Sequence, residues 1–348
     1  MKLERRIFLG DDSLAATAES GIFGVSCTYE DANLVIVPVP WEATVSYRGG
    51  TAGGPDAILA ASHQVDLYSS AFGKIFEYGI HLLPPAQGVA DWNLSAREAT
   101  LSKSKYESKA AAVICQKVDE LSEKMNRWVH HSAREALEAG KIPVVIGGDH
   151  STPLGLIRAL SESYHSDGFG ILHFDAHFDL RKAYEGFTYS HASIMYNVIE
   201  QCKNVKTLVQ VGIRDFCYDE IEYASQSQKI KPFLARDLFN SKAEGKSFNK
   251  IADEIVGNLP EKVYVSFDID GLDPLYCPST GTPVPGGLSY DEATYIIERL
   301  ANSGRHIIGF DLNEVAPSSR PGDEWDANVG ARLLYQMCGA LFQSWEKK

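Results

Sequence analysis

The sequence predicts an α/β protein in which helices cover both faces of a mostly parallel sheet. Short apolar runs, such as residues 142–146 and 263–267, alternate with longer segments of helical period. These runs are apolar throughout, as in strands buried on both faces, and such strands need crossover connections that make the sheet parallel. No repeat or linker interrupts the pattern, which favours a single domain over residues 1–348.

The N-terminal half supplies the first strands and helices. Residues 1–33 show little periodicity and are predicted to form a surface segment. A buried strand at 34–37 ends before two prolines, and a glycine-rich loop over 47–55 follows it. The alternation continues with a helix at 56–62, a loop-rich connection over 65–94 with an edge strand at 78–83, one long or broken helix over 95–139, a strand at 142–146 and a helix at 152–164.

The C-terminal half repeats strand and helix in turn. Its apolar runs are separated by segments with apolar residues three or four positions apart. The predicted strands are 169–174, 207–212, 263–267 and 306–312, and the predicted helices are 191–201, 248–259, 290–301 and 327–342. In a parallel α/β sheet the binding site lies at the carboxyl ends of the strands, so polar residues that follow the strands are the candidates for function.

The composition excludes several classes of protein. A formal net charge of -13 leaves no basic surplus to neutralise phosphates, which argues against nucleic-acid binding and mildly favours cationic substrates. No run approaches the roughly 18 apolar residues of a membrane span, and the N-terminal apolar stretch is too short for a signal peptide. The six cysteines are scattered, so neither a disulfide framework nor a thiolate zinc site is expected. We therefore expect a cytoplasmic protein without a membrane partner.

Two predicted strand ends carry metal-ligand residues at alternate positions. Asp175, His177 and Asp179 follow one apolar run, and Asp268 and Asp270 follow another. Successive side chains of a strand point to opposite faces, so residues two apart share a face. One such motif alone is common on protein surfaces. Two of them behind buried strands predict a metal site.

A third strand end adds His150, the last residue of a Gly-Gly-Asp-His sequence. Four clustered carboxylates repel one another unless cations neutralise them, and two divalent ions supply the matching charge. Carboxylate and imidazole ligands without sulfur favour Mn²⁺ or a similar hard to borderline ion over a thiolate zinc site. Two such ions lower the pKa of a shared water, so the predicted chemistry is hydrolysis. The predicted ligands are His150, Asp175, His177, Asp179, Asp268 and Asp270.

Several stretches resemble the ureohydrolases, the family of arginase and agmatinase. They are Gly-Gly-Asp-His-Ser at 147–151, Phe-Asp-Ala-His-Phe-Asp at 174–179, Ser-Phe-Asp-Ile-Asp-Gly-Leu-Asp-Pro at 266–274 and Thr-Gly-Thr-Pro-Val-Pro-Gly-Gly at 280–287. The resemblance covers about three quarters of the chain, in the family's order. It implies a three-layer α/β/α, arginase-like fold, two Mn²⁺ ions, and hydrolysis of a small guanidino substrate to urea and an amine. It also implies a homo-trimer or homo-hexamer.

The resemblance further implies a role for individual residues. Glu314 matches the acid that pairs with the guanidinium, and Thr282 matches a residue that supports that acid or the metal-bound water. His191 matches the histidine that carries a proton to the leaving amine, which needs a group that titrates near neutral pH. One Mn²⁺ is expected to be held by His150, Asp175, Asp179 and Asp268, and the other by Asp175, His177, Asp268 and Asp270, with Asp175 and Asp268 bridging.

The substrate is less well specified. Agmatinases usually show Ser-His-Gly-Thr around the histidine, where this chain has Ser-His-Ala-Ser, beginning at Ser190. Asp215 ends a stretch that resembles arginases, but Cys217 stands where arginases place an aspartate. Arg181 resembles an arginine of formimidoylglutamases that can pair with a carboxylate, and a structural role is an equal alternative. Ser190, Arg181 and Asp215 are predicted substrate contacts, with agmatine as the first choice, arginine the second, and guanidino acids or formimidoylglutamate the third.

Two other classes share part of the pattern. An arginase-fold deacetylase keeps one zinc ion, whereas this chain also has the extra ligands His150 and Asp179. A non-catalytic relative would have lost a ligand, and none is lost. Asp149 is expected in a turn or beside the ligands, and Asp273 is expected in a turn. The other histidines are expected on the surface or as hydrogen-bonded core residues: His63, His81, His130, His131, His165, His173 and His306.

Overall fold

The computed structural model describes residues 3, 5, 20–105 and 108–346. Within them lie a large sheet and a small antiparallel hairpin. The strands are β1 (Leu34–Val39), β2 (Tyr68–Ser69), β3 (Gly73–Lys74), β4 (Ile80–Leu82), β5 (Ile142–Gly147), β6 (Phe169–Phe174), β7 (Val205–Ile213), β8 (Ile230–Leu234), β9 (Lys262–Asp268) and β10 (His306–Asn313). The large sheet has the order β4-β1-β5-β10-β9-β6-β7-β8, and its strand pairs are parallel, which confirms the predicted sheet.

Helices cover both faces of this sheet and produce three layers. The described helices are α1 (Gly54–Ser62), α2 (Gln87–Ser102), α3 (Ser108–Glu138), α4 (Leu154–Ser163), α5 (Ile194–Gln201), α6 (Tyr218–Gln226), α7 (Ala235–Ala243), α8 (Phe248–Gly257), α9 (Tyr290–Ala301) and α10 (Trp325–Trp345). Residues of α1, α8, α9 and α10 share one hydrophobic core, and residues of α2, α3, α4 and α5 share the other. None of the helices in the described ranges combines the length and the apolar composition that a membrane span needs.

Strand side chains alternate between the two cores. In β6, Leu172 and Phe174 join the core under α10, whereas Phe169 and Ile171 join the core under α4. The strands β1, β5 and β6 are buried at every position. Helices on both faces explain why the apolar runs of the sequence lack an alternating polar face.

The N-terminal segment differs in part from the prediction. Residues 1–2, 4 and 6–19 lie outside the described residues. Ile22 and Phe23 were expected on the surface but are buried. The N–H of Phe23 donates to Ser62 Oγ at 2.9 Å, and its ring lies 4.7 Å from that of Tyr335 in α10. This short turn therefore closes one edge of a core, and its two apolar residues are too few to show a period.

Two other stretches were also predicted incompletely. The helix α2 begins at Gln87, inside the region expected to be a loop, and ends before α3, so that the long helical region is broken. The elements α6, β8 and α7 lie between residues 218 and 243, where no element was predicted. The strand β8 lies at the sheet edge, contains Pro232 and is partly exposed, so its apolar signal is weak.

The four central strands of the sheet end beside one another. They are β5, β10, β9 and β6, and each pair of neighbours is hydrogen bonded in parallel. His150 follows β5, Glu314 follows β10, Asp268 ends β9 and Asp175 follows β6. This topology brings the predicted ligands to one edge of the sheet.

Candidate active site at the carboxyl ends of the central strands

His150 stands on a turn that glycine makes possible. A Cβ at Gly147 would lie 1.8 Å from Asn313 Oδ1, and a Cβ at Gly148 would lie 1.8 Å from the carbonyl oxygen of Trp41. No other residue permits so close an approach. The turn holds His150, which is 1% exposed, against the neighbouring strand ends.

Hydrogen bonds below the turn fix the tautomer of His150. Its Nε2 lies 2.9 Å from Ser266 Oγ, and this hydroxyl donates to Asp311 Oδ1 at 3.0 Å. Because the hydroxyl hydrogen is used on Asp311, Ser266 accepts a hydrogen from His150 Nε2. Nδ1 is therefore the nitrogen that can bind a metal ion.

Three carboxylates surround Nδ1 of His150. The distances from this nitrogen are 3.0 Å to Asp175 Oδ2, 3.2 Å to Asp179 Oδ2 and 3.3 Å to Asp268 Oδ2. Asp179 has a φ of 54°, in the left-handed region that residues with a Cβ seldom adopt. This conformation places its carboxylate beside that of Asp175. The four side chains are those predicted for one metal ion.

A second group forms around Nδ1 of His177. This nitrogen lies 3.3 Å from Asp175 Oδ1 and 3.2 Å from Asp270 Oδ2. Asp175 thus presents one oxygen to each group, as a bridging ligand does. Asp268 contacts the first group directly and touches the second through its Oδ1, which accepts the N–H of Asp270 at 2.8 Å. The structure brings all six predicted ligands together.

The charges of these groups fit a site for cations. Burial, and then the charges of Asp270 and Asp175, raise the pKa of Asp268 well above its ordinary value. Burial and Asp175 raise the pKa of Asp179 to about 7. Burial would lower the pKa of His150, but its hydrogen bonds with the carboxylates raise it. The protonated His150 therefore supplies a positive charge that a bound metal ion would otherwise supply to the same carboxylates. These oxygen and imidazole donors suit a divalent ion such as Mn²⁺.

His173, predicted to be an ordinary surface or core histidine, belongs to the same cluster. Its buried Nε2 lies 2.9 Å from Asp175 Oδ2. The amide of Gln210 donates to His173 Nδ1 at 2.9 Å and to the carbonyl oxygen of Phe178 at 2.8 Å, so Nε2 carries the hydrogen and donates to Asp175. His173 therefore orients the bridging carboxylate. Its position in β6, two residues before Asp175, is the signal that could have revealed it.

A cavity of about 320 Å³ opens over both groups. A substrate can reach the ligand residues through it. A larger cavity, of about 770 Å³, lies along α3, and within the described part of the chain it contains none of the predicted site residues. The predicted catalytic and substrate residues that line the smaller cavity are His191, Glu314, Thr282, Arg181 and Asp215.

Ser190 is absent from the described residues that line this cavity, although the sequence predicted a substrate contact. Its buried hydroxyl accepts the N–H of Ala192 and so caps the short turn that carries His191. Ser190 Oγ lies 3.4 Å from His191 Nδ1, and Thr44 Oγ1 lies 3.3 Å from the same nitrogen. Sequence reasoning missed Thr44 because 147 residues separate it from His191.

His191 lines the cavity, with two charged histidines near it. Burial, and then the charges of His177 and His150, lower its pKa to about 3. Its imidazole is therefore neutral at pH 7 beside these two charged histidines and can accept a proton. The ring of Tyr184 packs edge-on against it with centroids 5.9 Å apart.

Glu314 is buried beside the first ligand group. It has a φ of 62°, its N–H donates to the carbonyl oxygen of Gly148 at 2.8 Å, and its Oε1 accepts the N–H of His150 at 2.9 Å. Burial, and then the charge of Asp149, raise the pKa of Glu314 well above its ordinary value. A cation bound in the cavity would relieve both effects.

Thr282 supports a ligand residue rather than Glu314. Its hydroxyl donates to Asp270 Oδ2 at 3.3 Å. The guanidinium of Arg214 fixes the loop that carries Thr282, because it donates to the carbonyl oxygens of Val284 and Asp270, each at 2.8 Å. This wall of the cavity is therefore tied to the second ligand group.

Arg181 is paired within the protein. Its Nε lies 3.4 Å from Glu220 Oε2, and its guanidinium lies over the ring of Tyr184, 4.5 Å from the centroid. Asp215 is exposed at the cavity, and the described residues provide no hydrogen bond to its carboxylate. Cys217 caps α6, and its N–H donates to Glu220.

Comparison with known proteins agrees with this geometry. A model of the arginase family matches residues 32–339. The N(1)-aminopropylagmatine ureohydrolase of Thermus thermophilus is 33% identical over 320 residues, which cover 91% of this chain and 94% of that protein. The enzyme of the same name from Synechocystis sp. is 32% identical over 323 residues, with coverage of 92% and 93%.

Solved structures show the same architecture. The crystal structure of an agmatine ureohydrolase of Thermoplasma volcanium matches with a TM-score of 0.70 and 25% identity, and the match covers 95% of each chain. The family match and the two relatives above 30% identity confirm the resemblance found in the sequence. The chain belongs to the arginase family and is a ureohydrolase.

Proposed function

We propose that the protein is a dimanganese hydrolase that cleaves an amine-tailed guanidine, either agmatine or N(1)-aminopropylagmatine, to urea and an amine. The main support for this proposal is the acidic lining of the cavity. Beyond the ligand residues, the cavity is lined by the acidic residues Asp215, Glu220 and Glu314. Among its described lining residues, Arg181 is the one basic side chain of the lysine or arginine type. Glu220 neutralises that arginine. An acidic cavity suits a substrate with a cation at each end.

The names of the relatives support the same substrates, since they are N(1)-aminopropylagmatine and agmatine ureohydrolases. Arginine, guanidino acids and formimidoylglutamate would each bring a carboxylate into the acidic cavity, which makes them the second choices. We also propose manganese from the donor set, a trimer or hexamer from the resemblance, and a cytoplasmic location from the scattered cysteines.

The metal ions would be held by the two groups around His150 and His177. When bound there, two divalent ions would balance the charge of the four carboxylates and would supply a water molecule of lowered pKa as the nucleophile for hydrolysis. Glu314 binds the guanidinium: one of its oxygens is used by the N–H of His150, and the other is left for the planar N–H donors of the substrate. A Cβ at Gly281 would lie 3.3 Å from that second oxygen, so glycine keeps the space open.

In this proposal His191 accepts a proton from the attacking water and passes it to the leaving amine. Its imidazole is neutral at pH 7 and can accept a proton on the cavity side, because the hydroxyls of Thr44 and Ser190 contact Nδ1. A hydroxyl can donate to the neutral ring and accept from the charged ring. The two hydroxyls therefore hold His191 in place in both protonation states.

The replacement Thr44→Val is expected to lower kcat by on the order of tenfold, a part of the 10² to 10⁴ that general acid–base catalysis supplies, and to leave KM nearly unchanged. The variant removes the hydroxyl that contacts His191 Nδ1 but keeps the side-chain shape. Thr44→Ser keeps the hydroxyl and should retain most of the activity. Steady-state urea release checks both variants. Equal kcat values for the valine and serine variants would contradict the positioning role of Thr44.

The proposed function is tested by urea release from agmatine, N(1)-aminopropylagmatine, arginine and guanidinobutyrate. We expect the highest kcat/KM for one of the two amine-tailed compounds. Treatment with a chelator should abolish the activity, and Mn²⁺ should restore it. The expected reason is that the cations balance the charge of the four carboxylates and lower the pKa of the attacking water. Failure of the Mn²⁺-loaded protein to release urea from any of the four compounds would refute the proposal. Preference for arginine or guanidinobutyrate would refute its substrate assignment.

A further inference from the structure

We propose that the ion pair between Arg181 and Glu220 decides which tail charge the cavity accepts. This inference rests on the proposed function and identifies the residues that set the substrate class at the same site. Arg181 lines the cavity and is about one-third exposed, whereas the side chain of Glu220 is 4% exposed. Their charges cancel at the cavity wall, so a positive side chain is present there without a net positive charge.

Glu220 is fixed in place by backbone groups on two sides. Its Oε1 accepts the N–H of Leu180 at 3.2 Å, and its Oε2 accepts the N–H of Cys217 at 3.1 Å. The first bond ties Glu220 to the segment that carries Arg181, and the second ties it to the start of α6. Glu220 therefore remains beside Arg181 and cannot move away to leave the guanidinium free.

Arg181 is held independently by Tyr184. The guanidinium lies 4.5 Å from the centroid of the Tyr184 ring, and both residues line the cavity. A stacked guanidinium keeps its position when its ionic partner is neutralised. Loss of the Glu220 charge would thus expose an unpaired cation at the cavity wall rather than release it to solvent.

The two possible tail charges meet different groups. The charge of Glu220 repels a carboxylate tail that approaches Arg181, and a tail that drew Arg181 away would leave Glu220 buried without its ionic partner, which is unfavourable. An amine tail meets the exposed carboxylate of Asp215, to which the described residues provide no hydrogen bond. Glu220 therefore acts through Arg181 as a positioning residue that excludes carboxylate tails, by a repulsive element rather than by a new attraction.

The test compares two pairs of compounds that differ in the tail charge. Agmatine and guanidinobutyrate place an amine and a carboxylate, respectively, at similar distances from the guanidine, and kcat/KM is measured for both from urea release. Calorimetric binding of the product amines putrescine and aminobutyrate gives the same ratio without hydrolysis. Glu220→Gln removes the charge and keeps a carbonyl oxygen for one of the two backbone N–H groups. We expect it to shift both ratios toward the carboxylate compound by about tenfold or more.

A second variant must shift the ratios in the opposite direction. Arg181→Gln removes the cation and leaves the Glu220 charge at the cavity, so it should increase the preference for amine tails. Lys182→Gln is the matched control, because Lys182 is the exposed cation next to Arg181 and does not belong to the described lining of the cavity. It should leave both ratios unchanged.

Unchanged ratios in Glu220→Gln would overturn the inference, as would a shift of Arg181→Gln in the same direction. An equal shift in Lys182→Gln would do so as well, since it would show a general effect of surface charge. The proposed function fails separately, when wild-type protein releases no urea. In that case the binding ratio of putrescine and aminobutyrate still reports on the ion pair.

Discussion

The replacement Asp175→Ala is expected to lower the rate of urea release by more than about 100-fold. A loss of about 100-fold is the upper limit for residues that only orient a metal ligand, and Asp175 is itself a predicted ligand. Asp175 serves both ligand groups, with Oδ2 at 3.0 Å from His150 Nδ1 and Oδ1 at 3.3 Å from His177 Nδ1. The replacement also removes the acceptor of the His173 hydrogen bond. No other residue of the cluster presents an oxygen to both histidines at these distances within the described chain.

Metal content separates this explanation from a simple loss of folding. Wild-type protein is expected to hold two Mn²⁺ ions per subunit after gel filtration, and Asp175→Ala fewer than two, with an unchanged circular dichroism spectrum. Asp273→Asn is the control, because Asp273 belongs to the same motif as Asp268 and Asp270 but accepts the N–H of Leu275 in a turn. It should keep both ions. A normal metal content and rate in Asp175→Ala would contradict the bridging role.

The ligand set could be predicted from the sequence because its signal is local. Asp175 and His177 alternate directly behind a buried strand, as do Asp268 and Asp270, and a parallel sheet brings such strand ends together. This prediction did not require the order of the strands, because the carboxyl ends of all parallel strands lie at the same edge of the sheet. The same reasoning predicted the position of His150 and the class of chemistry.

The supporting residues could not be predicted in this way, because they lie far apart in the chain. Thr44 reaches His191 across 147 residues, and Glu220 reaches Leu180 across 40 residues. Neither residue stands in a pattern with a period. Glu220 also lies in α6, in a stretch where the sequence predicted no element. Sequence patterns report burial and secondary structure, whereas these contacts depend on how separate loops pack.

Backbone strain at two site residues was equally hidden. Asp179 and Glu314 have φ values of 54° and 62° although neither is glycine. Residues in this region cost on the order of 1–3 kcal/mol, and they persist where the surrounding structure holds them. The N–H of Glu314 is held by the carbonyl oxygen of Gly148. Aspartate adopts this conformation more readily than most residues, but nothing in the residue type of Glu314 predicts it.

Glu314→Gln is expected to lower kcat/KM for agmatine by on the order of 10² to 10³. Loss of one partner from a buried, hydrogen-bonded charge pair costs about 2 to 5 kcal/mol, and about 1.4 kcal/mol corresponds to a tenfold change. Glutamine keeps the oxygen that accepts the N–H of His150, so the strand end should remain in place. The effect should appear in urea release with both amine-tailed substrates, since both contain the guanidinium.

The same replacement should stabilise the protein in the presence of a chelator. Burial and the charge of Asp149 raise the pKa of Glu314, so the folded state holds this proton more tightly than the unfolded state. Stability from this group therefore falls as the pH rises from the unfolded pKa of about 4.3 toward the raised folded pKa. Glutamine does not titrate, so Glu314→Gln should unfold at a higher temperature than wild type at pH 8, with a smaller difference at pH 5.

Opposite changes in activity and stability distinguish a substrate-binding acid from a structural one. Replacement of a structural glutamate would lower activity and stability together. Replacement of Glu314 should lower activity alone, because burial and the charge of Asp149 disfavour the ionised form that binds a cation. Glu222→Gln, an exposed replacement in α6, is the control and should change neither quantity. An unchanged kcat/KM would show that the carboxylate of Glu314 does not bind the guanidinium. A lower unfolding temperature of chelator-treated Glu314→Gln at pH 8 would show that this carboxylate stabilises the fold instead.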